Sequence, residues 1–173
     1  MHHQPDDHDW FELHSTPAHA GDAGGELTAA QVARLGYAAA LARLGDELLP
    51  LIETTGDSRR SDEDFVRESM HLVRLARRAV EHSITLARLR GATWDAVADG
   101  LGTGHDAESA AGEFGDLDLS NLADSPAAVW QRMRPRWSPE DPRTGAHELD
   151  AWARRHADPH EVVRVDQPVS AGL

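Results

Sequence analysis

The chain has 173 residues, enough for one domain with a core of its own, and carries a formal net charge of −13 with a mean hydropathy of −0.53. It contains no cysteine, which excludes disulfides, thiolate nucleophiles and cysteine-ligated zinc or iron–sulfur centres. No run approaches the ~20 apolar residues that span a bilayer, and the opening residues lack a basic stretch followed by an apolar one. A soluble, cytoplasmic protein is therefore expected.

The charge is unevenly placed. All 17 basic residues are arginine. Residues 59–90 hold 8 of them against 5 acids, a net of +3, whereas residues 91–125 hold 8 acids and no arginine. The one basic block thus lies directly before the most acidic one.

Residues 1–26 read as a disordered arm, with His2, His3, His8, His14 and His19 interleaved with Asp6, Asp7, Asp9 and Glu12. These are ligand types for zinc or nickel, but a floppy segment must be ordered by the metal it binds, so a solvated polar arm is expected and no metal site is assigned. A helical domain follows over 27–157. Its first helix should start after Thr28 as N-cap and run to about Leu49, with Val32, Leu35, Ala39, Ala42, Leu49 and Ile52 on one face. Pro50 should stop or kink it. Gly36 and Gly45 weaken it, so tertiary packing must hold it.

The second helix should be capped by Ser61, with Asp62, Glu63 and Asp64 at its positive end and Gly91 just past its last turn. Phe65, Val66, Ser69, Leu72, Val73, Ala76, Ala79, Val80, Ser83 and Ala87 share one face. Val66, Val73, Val80 and Ala87 fall seven apart with small residues between them. That spacing suits a close-packed partner, either the first helix or a second subunit, and Val66, Val73, Ala76 and Val80 are the candidate dimer face. The opposite face carries Arg67, Arg74 and Arg78, partly neutralised by i,i+4 pairs Glu63–Arg67 and Arg77–Glu81. Glu68 and His71 have the Glu-x-x-His spacing of di-iron bundles, but no second copy exists and that reading is set aside.

The stretch Gly91-Ala-Thr-Trp94-Asp-Ala-Val97-Ala98-Asp-Gly-Leu101-Gly102 resembles the opening of helix-turn-helix domains in many regulators from high-GC bacteria. Those domains typically read Gly-x-Ser/Thr-Trp, then Ile/Val-Ala/Gly, then Leu-Gly. Thr93 caps a short helix, Trp94, Val97, Ala98 and Leu101 form its apolar face, and Gly102 takes the turn. The resemblance implies a supporting helix before it and a DNA-reading helix after it. The second half departs from the pattern. Residues 103–115 contain Asp106, Glu108 and Glu113, no arginine, and one histidine, His105. Affinity for DNA comes mainly from cations on phosphates, so the charge of this segment disfavours DNA.

In the last third, Asp124 or Ser125 caps a short helix with Pro126 in its first turn, carrying Val129, Trp130 and Met133. Arg132, Arg134 and Arg136 alternate with Met133, Pro135 and Trp137, a composition met in nucleic-acid contacts. Trp130 and Trp137 are expected as core or lid residues. A last helix is expected from Gly145 to about Ala157, and residues 158–173 as a tail in which Val162, Val163 and Val165 could add a short strand. His147, His156 and His160 read as polar surface.

The expectation is an all-α protein: a helical hairpin over 28–90, a degenerate helix-turn-helix-like unit, a disordered arm and a tail. No catalytic motif and no cofactor signature appears. The leading functional expectation is a non-enzymatic regulatory or interaction protein working through protein contacts, with homodimerisation through the second helix. Direct DNA binding through the arginine face (Arg67, Arg74, Arg78, Arg132, Arg134 and Arg136) is the alternative, and a small enzyme of unrecognised type comes third.

Overall fold

A computed structural model describes residues 25–52, 57–102, 104–115, 122–136, 138–157 and 167–173. The metal-tail reading of the arm, Trp137, His160 and the valines at 162–165 lie outside the described residues. The described chain is all-helical: α1 (Ala29–Ile52), α2 (Asp62–Leu89), α3 (Trp94–Leu101), α4 (Ala107–Phe114), α5 (Pro126–Met133) and α6 (Pro142–His156), with single 3-10 turns at Asp57–Arg59 and Ser170–Gly172. No helix among them is long and apolar enough to cross a membrane.

Local chemistry sets the helix ends. Thr28 Oγ1 accepts from Gln31 N–H at 3.2 Å while Gln31 Oε1 accepts from Thr28 N–H at 2.9 Å, a reciprocal cap that satisfies two free donors of α1. Ser61 and Asp64 do the same for α2, and the Ser61 backbone N–H and hydroxyl, with Arg67, hold the Asp64 carboxyl at about 2. At the far end of α2, Ala92 N–H bonds Ala87 O at 3.0 Å and Gly91 N–H bonds Arg88 O at 2.9 Å, with Gly91 at φ 88°. This closure requires a left-handed residue, which glycine adopts without cost.

α1 is the central rod. Its Val32, Leu35, Ala39 and Ala42 pack with Leu86 of α2, Val129, Trp130 and Met133 of α5, and Ala146 and Leu149 of α6. Glycines mark the crossings. A Cβ on Gly36 would stand 2.5 Å from Met133 Cβ, and one on Gly145 would stand 2.8 Å from the Trp130 ring. Trp130, buried in the core as expected, donates from its indole N–H to Pro139 O at 3.0 Å. At Gly45 the Trp152 ring covers α1 and donates to Asp46 at 2.7 Å.

Several expectations are corrected. α1 continues through Pro50 to Ile52, so the proline does not stop it; it forfeits one i→i−4 hydrogen bond, and only Leu51 and Ile52 follow it in the helix. Leu49 and Ile52, expected on the packed face, are exposed. α1 does not pack on the valine face of α2. It takes the roughly opposite side, where Ala79, His82 and Leu86 are buried and Leu72 and Leu75 half-buried. Arg67 pairs with Asp64, three residues back, in place of Glu63, because Asp64 is already fixed by the cap. α6 starts at Pro142, capped by Asp141, whose carboxylate accepts from Thr144 N–H at 2.8 Å.

The end of the expected tail is docked. Asp150, buried in α6, accepts from Val169 N–H at 2.7 Å, Ser170 N–H at 3.0 Å and the Ser170 hydroxyl at 2.5 Å. Val169 and Leu173 pack on the main core, and Gln31 donates to the Leu173 carbonyl. Burial pushes the Asp150 carboxyl up, but the Ser170 and Val169 donors outweigh it and the net shift is downward.

Candidate functional site

α2 is shared by three prospective surfaces, and helix periodicity separates them. Opposite its α1-facing side runs the apolar stripe. Val66 is 66% exposed, Val73 57%, Met70 51% and Val80 38%. Ala76 is exposed with them. The candidate dimer face is therefore exposed, and among the described residues no helix covers its N-terminal half. Its C-terminal half turns toward α3, where Val80, Ser83, Ile84 and Ala87 of α2 and Ala96, Val97, Gly100 and Leu101 of α3 border a shallow cavity of about 240 Å³.

α3 and α4 form the second hydrophobic cluster: Val97, Ala98, Ala110 and Phe114 close on Ile84 of α2, with Trp94 and Leu101 packed at the margin. Thr93 Oγ1 accepts from Ala96 N–H at 3.2 Å, and Gly102 N–H bonds Ala98 O at φ 90°. Arg88 ties the start of this unit to α2. Its guanidinium donates to Ala92 O and lies 4.8 Å from the centroid of the Trp94 ring. Glu108 is exposed, because Asp106 caps α4 and thereby sets Ala110 and Phe114 inward. His105 Nε2 lies 3.8 Å from Glu113, which also takes Arg77 at 3.1 Å. The outer side of α4 is accordingly acidic, and among the described residues its ion pair with the basic block is Glu113 to Arg77.

The third surface is a basic cleft between α2 and α5. Arg74, Arg77, Arg78 and Glu81 of α2 face Arg132 and Met133 of α5 around a recess of about 290 Å³, with buried His82 and Thr85 at its floor. A second recess of about 280 Å³ adjoins it and shares Arg78, His82 and Met133. Arg43 and Arg136 bring its charge, His71 an imidazole, and Ala40, Leu75 and Pro135 its apolar wall. Of the six arginines singled out in the sequence, Arg74, Arg78, Arg132 and Arg136 converge here. Arg67 is held at the far end of α2 by Asp64, and Arg134 turns to Gln131 and to Ser138 O at 2.8 Å.

His82 Nδ1 lies 3.2 Å from Gly36 O, to which it donates, and burial, together with Arg78 and Arg132, holds its pKa below the usual histidine value. Arg43 and His82 were not singled out in the sequence. Arg43 reads as a solvated α1 position until the register of the hairpin is known. His82 sits on the helix face that the valine pattern obscures. Among the described residues no cluster of histidine, aspartate and glutamate could hold a metal ion. Glu68 Oε1 stands 3.7 Å from Arg60, and His71 3.8 Å from Glu47, so that pair serves separate contacts.

No protein-family model matches the chain, and neither does any curated protein or solved structure.

Proposed function

We propose that this is a non-enzymatic regulatory or interaction protein that acts through protein contacts, and that a second copy of the chain is the first partner, seated along α2. The observation that carries the reading is the line of exposed Val66, Met70, Val73 and Val80. Large apolar side chains in a continuous row are costly to hydrate, and burying one is worth roughly 1.5–3 kcal/mol if it is covered completely. Val66, Val73, Val80 and Ala87 fall seven apart, with Ser69, Ala76 and Ser83 between, the pattern that lets two helices supercoil at close approach. The helix-turn-helix-like unit serves in this reading as a folding platform on α2, its acidic α4 kept from nucleic acid by charge.

The test is sedimentation velocity over a range of concentrations. The wild-type chain is expected to sediment as a dimer and Val73→Asp as a folded monomer. Val73 is exposed, so helicity should be retained. An unchanged sedimentation coefficient with intact circular dichroism refutes the dimer.

Direct DNA binding is a second reading, favoured by the convergence of Arg74, Arg78, Arg132 and Arg136. It predicts a mobility shift with sheared duplex DNA that weakens steeply as salt rises. Absence of a shift at micromolar protein and low salt removes it.

A further inference from the structure

The arginine cleft lies on a different face of α2 from the valine stripe, and its chemistry stands independently of dimerisation. Arg74, Arg78, Arg132 and Arg136 make no hydrogen bond or ion pair with an acid among the described residues. Arg74 and Arg78 are an i,i+4 like-charge pair, which destabilises a helix when nothing neutralises it. A chain of net charge −13 with 30 acidic residues has acids to spare, yet the two at the cleft are already engaged: Glu81 lies 3.5 Å from Arg77 and Glu47 3.2 Å from Arg43.

The shape is concave, which separates it from a surface for duplex DNA. Two joined recesses of about 290 and 280 Å³ fit the body of a small molecule, and backbone phosphates would rest on their rims. The two recesses also differ in kind. Half of the residues lining the first are arginine; the second adds an apolar wall of Ala40, Leu75 and Pro135. Guanidinium forks arriving from two helices address a tetrahedral anion from several directions, whereas a planar carboxylate is satisfied by one fork.

We propose that this cleft binds a phosphorylated small molecule, its phosphate groups on Arg74, Arg78 and Arg132 and its apolar or aromatic body against Leu75 and Pro135. Met133 and neutral His82 form the floor shared by both parts.

The test is titration calorimetry of the full chain with inorganic pyrophosphate, with adenosine diphosphate and with citrate, all at one fixed ionic strength. Pyrophosphate is expected to bind saturably at one site per chain, and adenosine diphosphate more tightly, because its base adds contact with the apolar wall. Arg78→Ala and Arg132→Ala should each weaken binding by roughly ten-fold or more, the scale of one lost charge-assisted contact. Arg78→Lys should recover part of that loss, and Arg67→Ala should change nothing. Circular dichroism of each variant confirms the fold, since these arginines are exposed.

Failure of both phosphates to bind overturns the proposal. So does citrate binding as tightly as pyrophosphate, or an equal loss in Arg67→Ala, which would mark general attraction to charge. Duplex DNA that binds and is not displaced by pyrophosphate overturns it in favour of nucleic acid. A monomeric Val73→Asp chain that still binds pyrophosphate supports the site and leaves the dimer to its own test.

Discussion

At Gly36, α1 meets both Met133 of α5 and His82 of α2, and replacing the glycine with alanine opposes two effects of known size. Helix propensity favours alanine by about 1 kcal/mol at an interior position. Against this, the new Cβ would stand 2.5 Å from Met133 Cβ, 3.2 Å from its Cε and 3.4 Å from its Cγ. Carbon atoms rest at about 3.5–4.0 Å. The Cε can swing away, but the Cβ moves only if α5 moves, by roughly 1 Å. Overpacking of this kind costs about 1–3 kcal/mol. The displaced turn also carries the carbonyl that accepts from His82, a bond worth about 0.5–1.5 kcal/mol. The net expectation for Gly36→Ala is a loss of about 1–2 kcal/mol. Gly112, inside α4, is the matched control, since a Cβ there meets nothing within 4 Å. Gly112→Ala should gain up to about 1 kcal/mol. Urea denaturation followed by helix circular dichroism reads both. If Gly36→Ala is as stabilising as Gly112→Ala, the close crossing of α1 and α5 does not exist as described.

Two predictions concern pH. The Asp150 carboxyl titrates below its unfolded value, so its contribution is complete above about pH 4 and is lost as pH falls through the folded value. Release of Val169 and Ser170 should accompany that loss, seen as faster amide exchange. Asp150→Asn should show the same release at pH 7, and persistent protection there would refute the docking. The His82 imidazole also titrates below its usual value, because the folded interior disfavours its charged form. Stability should therefore be full above about pH 6.5 and decline as pH falls below it. His82→Gln should flatten that decline, and an unaltered slope would assign it to other groups.

Much of the secondary structure was legible because it is written locally. Caps at Thr28, Ser61, Thr93 and Ser125, and the closing glycine at 91, are short-range chemistry with fixed spacing. Asp141 was missed at the start of α6, although the Asp-Pro pair at 141–142 is itself a cap followed by a first-turn proline. The faces were less legible. On α2 the valine row is the more regular pattern, yet the core lies along Ala79, His82 and Leu86, where polar and small residues hide the periodicity. Only the packing of α1 decides between the two, and that is a tertiary fact. The cleft was half-visible for the same reason. The sequence shows arginines on α2 and around α5, but which ones meet depends on the crossing at Gly36. The contacts of Asp150 with Val169 and Ser170 span 19 and 20 residues and leave no periodic trace.

One consequence follows from the way α2 divides its circumference. A rod that touches α1, borders the arginine recess, supports α3 and α4 and presents the valine row cannot roll without disturbing all of them together. Any occupant that prefers one angular setting of α2, whether an anion in the recess or a second copy on the row, therefore biases the other surfaces by the same free energy, in both directions. The helix acts as a common shaft. If both surfaces are occupied in the cell, pyrophosphate should change the dimer constant by the factor by which dimerisation changes the affinity for pyrophosphate.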